Sequence, residues 1–255
     1  MAKLTDCYEN KNLVDLAKKQ YEKDQRNTIP SEIITLTSQG KVYPKDHLLS
    51  AGKIEMRYMT AYDEDILTNA SYQKEGVVLD KLIEALIITD VDLEEIAQVD
   101  KDGLILNARI LSYGAEYPVT VKDPKTGAFL ERSVDLSKLT TRTIDLIPDD
   151  NGEFNYSIEK NKIKFGFPSS RDYRSDITTS EFLQYVLREV NGSRKKQDID
   201  HFIRYEFLAK DSKKFQKYLL ENSPIILLEY EFETEGDAGG TFTAGFPLGL
   251  DLFWF

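Results

Sequence analysis

The sequence is poor in the residues that usually build chemical sites. Cysteine occurs once, at Cys7, and histidine twice, at His47 and His201. One cysteine can form no intrachain disulfide, and the chain is expected to be made in a reducing cytosol. A structural zinc ribbon needs cysteines paired about two residues apart on each of two turns, which this sequence cannot supply. No apolar run approaches the roughly 18–20 residues of a membrane span, and the first residues lack the apolar core of a signal peptide. Positive charge is also short. Lys and Arg number 33 against 44 Asp and Glu, a formal net charge of −11, which disfavours non-specific binding to nucleic acid phosphates. The expectation is no membrane span and no nucleic acid partner.

What the sequence does hold suits a globular fold. Hydrophobic residues make up 41% and charged residues 30% of 255 positions. The organising stretch is residues 103–139. Leu104, Ile105, Ala108, Leu111 and Ala115 fall at helical spacing, with Leu106, Ile110 and Tyr113 on an adjoining face. A helix apolar over so much of its girth is normally buried. Asp100 stands where an N-cap should be, and Gly114 suits the left-handed C′ position that ends a helix. From Tyr117 the period changes to two, and Asp123-Pro124-Lys125-Thr126-Gly127 has the chemistry to reverse the chain into a second strand.

Taken in order, residues 10–24 read as a helix with a narrow apolar stripe that includes Leu13, Leu16 and Tyr21. Residues 27–53, with two prolines, two glycines and the run Ile33-Ile34-Thr35-Leu36, read as a short strand or extended arm followed by a loop. Residues 1–53 are therefore expected to be an arm with little core of its own, protease-sensitive alone and laid along a neighbour in an assembly. A strand at 54–59 and a helix capped near Thr60 follow, then an amphipathic helix marked by Leu79, Leu82, Ile83, Leu86 and Ile87. Asp149-Asp150-Asn151-Gly152 reads as a linker. Beyond it come a hairpin at 154–167, a helix from the Thr178/Glu181 capping box through Val190, a helix over 198–208, one capped by Asp211, and strands on either side of a glycine-rich turn at 235–240. The fold class is α+β: small helical units, each followed by a β-ribbon resembling a degenerate zinc-ribbon hairpin, with a hairpin between them. The units expected are 1–53, 54–150 and 151–255.

No catalytic, cofactor-binding or metal-binding residues emerge. His47 and His201 lie far from any nucleophile, and the simplest reading of His201 is a packed or surface histidine. Nothing around Cys7 lowers its pKa. Paired carboxylates such as Asp63/Asp65, Asp90/Asp92 and Glu94/Glu95 fit a solvated acidic face. Residues 149–152 lack the spacing and final Glu of a calcium loop, and no lysine follows the glycines at 236–245 at phosphate-loop spacing. What stands out is the end of the chain. The single tryptophan is Trp254, flanked by Phe253 and Phe255; this cluster is either tucked into the chain's own core or inserted into a partner, and aromatics of this kind anchor interfaces. Phe253, Trp254 and Phe255, with Leu13, Leu16 and Tyr21, are the interface candidates.

Four stretches then carry a family resemblance: Met56-Arg57-Tyr58-Met59-Thr60-Ala61-Tyr62-Asp63-Glu64-Asp65-Ile66-Leu67; residues 104–117 with Arg109 and Ser112-Tyr113-Gly114; Lys210-Asp211-Ser212-Lys213-Lys214; and the closing Phe253-Trp254. In these the chain resembles the baseplate hub and hub-assembly proteins of T-even-type contractile phages, over about residues 54–255, with the first fifty as an addition. Family members often carry cysteine-paired zinc knuckles on two ribbons and end in Phe-Phe-Trp-Pro. This sequence lacks those cysteines and ends in Phe255, so no zinc or other cofactor is carried over. The resemblance implies a non-enzymatic structural or assembly protein of the virion tail baseplate, put together in the host cytoplasm. Its partners would be other baseplate and tail proteins in a multi-protein complex. A transient assembly factor absent from the virion is the alternative, and an unrecognised enzyme the more distant one.

Overall fold

The computed structural model describes residues 29–172, 177–234 and 240–254. Strand β1 (Ser31–Thr35) pairs antiparallel with β2 (Lys53–Arg57), Ile34 opposite Ile54. The loop between them folds tightly on itself. At Gly40, where φ is +82°, a Cβ would come within 2.4 Å of the Ser50 carbonyl oxygen, so only glycine fits. Ile34, Leu36, Tyr43 and Leu49 are buried in the first core. The expected arm therefore does not reach residue 53, because residues 31–53 help build that core. Strand β1 falls on the β-branched run, while the apolar side chains of the loop after it follow no helix or strand period, which is why their burial is not legible in the sequence pattern.

Helix α1 (Ala61–Thr68) opens with a capping box in which Thr60 and Asp63 satisfy each other's free backbone amides. Helices α2 (Ala70–Glu75) and α3 (Val78–Leu86) follow, α3 burying Val78, Leu82, Ile83 and Leu86. A single turn (Leu93–Glu95) leads to α4 (Gln98–Tyr113), the central helix. Its N-cap is Ala97. Asp100 lies in the first turn of the helix, and Gly114 ends it at φ +87°.

Strands β3 (Glu116–Lys122) and β4 (Phe129–Asp135) form the first ribbon. Its turn is held by hydrogen bonds: the Lys125 N–H donates to Asp123 Oδ1 at 2.8 Å, and the Gly127 N–H to the Asp123 carbonyl at 2.8 Å. The short β5 (Thr141–Arg142) comes next. Residues 149–152 pack onto the 42–45 loop: the Lys45 N–H donates to the Asp150 carbonyl at 3.0 Å, and a Cβ on Gly152 would lie 2.6 Å from the Tyr43 backbone.

The hairpin β6 (Phe154–Ile158) and β7 (Asn161–Phe165) turns at Glu159-Lys160. Helix α5 (Thr179–Val186) keeps its capping box but stops at Val186, and the chain continues as β8 (Leu187–Val190), pairing with β7. Helix α6 (Lys196–His201) runs on into a π-helical turn (Phe202–Glu206), where the Phe207 N–H reaches the Phe202 carbonyl at 2.8 Å. Helix α7 (Ala209–Asn222) has Leu208 as its N-cap, with Asp211 again three residues inside. Strand β9 (Ile225–Ile226) pairs with β5; β10 (Glu229–Glu233) and β11 (Thr241–Gly245) form the second ribbon. A short turn (Leu250–Phe253) closes the chain.

A second core surrounds Phe154, Phe165, Phe202 and Phe215. The third joins the two ribbons: Val121, Leu130 and Val134 of the first meet Phe232 of the second against Leu106 of α4. The protein is thus mixed α+β with small antiparallel sheets. Core contacts cross residue 150, since the second ribbon packs on the first and the C-terminal turn on α4.

Candidate interface at the C-terminus

Three buried ionic groups hold non-periodic segments onto the helices. The first is Arg109 of α4, whose side chain has no exposed surface. Its Nε donates to the Leu252 carbonyl at 2.6 Å, Nη1 to Gly114 at 2.7 Å and Nη2 to Glu116 at 3.2 Å. The guanidinium carbon lies 5.2 Å from the Tyr113 ring centroid and 5.8 Å from that of Tyr117, within cation–π range. Burial draws the Arg109 pKa down, yet guanidinium stays charged at any physiological pH. Arg109 therefore ties the end of the chain to the end of α4 and the start of the first ribbon.

The terminal residues divide accordingly. Leu252 and Phe253 are buried in the first core, with Phe253 edge-on to Tyr113 at 6.4 Å. Trp254, one residue on, is 45% exposed. The Tyr113 hydroxyl donates to Glu64 at 3.0 Å, and burial, helped by that carboxylate, pushes its pKa up to about 12. Phe255, Leu13, Leu16 and Tyr21 lie outside the described residues.

The second group is the pair Arg57–Asp63, both buried, so Asp63 does not lie on the solvated acidic face expected of it: Arg57 draws it inward. Two parallel hydrogen bonds of 2.7 Å join guanidinium to carboxylate. Arg57 Nε also donates to the Ala85 carbonyl at 3.1 Å, while the Thr60 N–H and hydroxyl each donate to Asp63 at 2.8 Å. Burial works to raise the Asp63 carboxyl, but Arg57 and Thr60 outweigh it and hold the carboxyl below its usual range. The motif at 56–67 thus joins β2, α1 and α3. Tyr62 in the same motif is 80% exposed.

The third is Asp100. Its carboxylate accepts from the Ser38 N–H, the Ser38 hydroxyl and the Tyr43 hydroxyl, each at 2.7 Å, and the Tyr43 oxygen accepts from the Ala97 N–H at 3.0 Å. Burial nevertheless raises the Asp100 pKa, and burial with that carboxylate carries the Tyr43 phenol well above its ordinary value. Instead of capping its helix, Asp100 pins the 36–52 loop to it. Gly103 completes the contact, because a Cβ there would sit 2.3 Å from Thr37 Oγ1. Nothing local in the sequence announces this pairing across 62 residues.

The histidines serve the fold and the surface. His47 Nδ1 accepts from the Leu49 N–H at 3.1 Å and its ring stacks on Tyr43; His201 faces Glu206 on the surface. Among the described residues, no three His, Cys, Asp or Glu side chains group so as to hold a metal ion, and no helix is long and apolar enough to cross a membrane. One cleft, of about 400 Å³, lies between β1, α4 and β5.

These features define an α+β protein whose buried charges serve as clamps between segments. A sequence profile described as T4 bacteriophage base plate protein matches residues 10–233, and the chain belongs to that family. Membership places it in the tail baseplate of a T4-type phage, with other tail proteins as its partners. The match begins at residue 10, so most of the segment expected to be an addition belongs to the family's own sequence. No curated protein and no solved structure matches the chain.

Proposed function

We propose that this chain is a non-enzymatic structural or assembly component of the contractile-tail baseplate, at the hub or associated with it, acting through protein–protein contacts. The observation that supports this reading beyond family membership is Trp254. It stands 45% exposed one residue beyond a turn whose preceding residues are buried and held by Arg109. A large aromatic presented from a fixed turn loses little conformational freedom on binding. Covering its exposed part contributes about 2 kcal/mol at the usual value per unit of apolar area. Phe255, Leu13, Leu16 and Tyr21 are proposed as further contact residues. Phe253 acts from within, by seating the turn.

The test is quantitative mass spectrometry of purified virions and of tail assembly intermediates, with wild type and Trp254→Ala. Wild-type chain at a fixed copy number in virions, reduced by Trp254→Ala without loss of thermal stability, is the expected result. Presence in intermediates alone would assign the transient assembly role. Undiminished incorporation of Trp254→Ala would remove the tryptophan from the interface.

A further inference from the structure

We propose that the outer edge of β1, with which no described residue pairs, together with the cleft beside it, takes an extended, uncharged segment of a neighbouring tail protein as an added strand. This rests on the reading that the chain works through protein contacts. The β1–β2 register carries the first part of the argument. The Leu36 N–H donates to the Gly52 carbonyl and the Tyr58 N–H to the Pro30 carbonyl. Even-numbered residues of β1 therefore face β2, and the peptide groups of Ser31, Ile33 and Thr35 point away from it. The outer edge of β2 is occupied, since the Ile88 N–H donates to the Glu55 carbonyl and the Glu55 N–H to Thr89 Oγ1. Among the described residues nothing similar covers the outer edge of β1.

Among the described residues few of the usual protections of an edge are present: the strand is short and Glu32 is charged, but nothing else blunts it. Strand β1, Ser-Glu-Ile-Ile-Thr, contains no lysine, proline or bulge, and Ile33 is 69% exposed in its middle. An open edge with an exposed β-branched residue is the arrangement that strand addition uses, backbone hydrogen bonds giving affinity and alternate side chains giving selectivity.

The cleft adds the chemistry of the occupant. It begins at Thr35, the end of that outer edge, and is bounded across from it by Thr141 and Thr143. Strand β5 offers an edge there too: the Leu227 N–H donates to the Thr140 carbonyl, which leaves the peptide groups of Thr141 turned away from β9. Leu106 and Ile110 of α4 give the lining its apolar part, and Asn107 adds an amide. Not one residue lining it is charged, in a chain whose residues are 30% charged. A charged side chain brought here would lose water and gain no counter-ion, whereas threonine, serine or aliphatic side chains fit both lining and strand.

The test uses full-length chain in phage-infected cells. Ile33→Pro removes an N–H that points away from β2, so the β1–β2 ladder survives; Thr141→Arg puts a charge in the cleft from the other side. Both variants are expected to leave the melting temperature of the isolated chain within about 3 °C of wild type. Both should lower incorporation into tails or tail intermediates about tenfold. A photo-crosslinking residue at position 35 should attach to one uncharged segment of another tail protein, and the Ile33 and Thr35 amides should exchange more slowly in the assembly than alone. Unchanged incorporation of both variants, equally fast exchange, or crosslinks confined to a second copy, a glycan or a charged segment would each overturn the proposal. Absence of wild-type chain from tails and intermediates alike would defeat the baseplate reading itself. Normal wild-type incorporation with unaffected variants defeats only the strand docking.

Discussion

Removing Arg109 tests whether the end of the chain is held as described. Arg109→Ala deletes hydrogen bonds to the carbonyls of Leu252, Gly114 and Glu116 and empties the space its fully buried side chain fills. A hydrogen bond from a charged donor contributes about 1.5–3 kcal/mol, but part of that is offset because a buried guanidinium has itself given up hydration. Lost bonds, stranded carbonyls and a cavity together give a loss of about 3–5 kcal/mol. For a chain of this size that is a fall in melting temperature of about 6–20 °C. Arg109→Lys keeps a charge but has no planar fork to reach carbonyls on separate segments, and should lose about half as much. Hydrogen exchange localises the effect: the Leu252 and Trp254 amides, bonded to Gly249 and Asp251, should lose protection before those in the middle of α4. Phe253→Ala, about 3–5 kcal/mol alone, should combine with Arg109→Ala to less than the sum, because either frees the same turn. A melting temperature lowered by under about 2 °C, with Leu252 and Trp254 still protected, would refute the clamp.

Asp63→Asn leaves the buried Arg57 without its carboxylate and should cost about 3–5 kcal/mol, read by denaturant unfolding. Because the folded carboxyl lies below its usual range, the contribution of Asp63 is complete above about pH 4 and disappears as pH falls through the folded value, so the deficit of Asp63→Asn should shrink in acid. Asp100 has the opposite sign: its pKa is raised on folding, so its contribution is greatest below about pH 4 and declines as pH rises towards the folded value. The deficit of Asp100→Asn should therefore be larger near pH 4 than at pH 7. Gly103→Ala gains about 1 kcal/mol in helix propensity, but the 2.3 Å approach to Thr37 makes it destabilising on balance, and Thr37→Ser, which keeps that hydroxyl, should not rescue it. Calorimetry of the two variants alone and together decides.

Local signals were legible where the structure uses them locally. The stripe of α3, the girth of α4, the turn from Asp123 to Gly127 and the capping boxes at Thr60 and Thr178 all lie where the sequence puts them. Asp100 and Asp211 were both misplaced by three residues, for one reason. An acidic side chain near a helix start suits the first turn, through the helix dipole, as well as the N-cap itself. Strand β8 was hidden because Leu187 and Val190 continue the helical spacing of Leu183 and Val186, with no glycine or proline between. Pairing with β7 then decided what propensity could not. Of the interface candidates, Phe253, Trp254 and Phe255 look equivalent as a sequence, and only the carbonyl geometry at Leu252 separates the buried Phe253 from the exposed Trp254.

The clamps share a logic that explains why the rest was illegible. Arg57, Asp100 and Arg109 each lie on or beside a regular element and hold a segment with no period of its own: the 58–60 link, the 36–52 loop and the C-terminal turn. Such segments have no repeating backbone hydrogen bonds to fix their positions, so a buried polar group with several geometric demands helps to fix them. The partners lie up to 143 residues apart, far outside any window in which periodicity operates. This arrangement also bears on assembly. A turn or loop held by one polar knot can present Trp254 or the β1 edge at a fixed place, and a surface fixed in advance leaves less to be ordered when a neighbour docks.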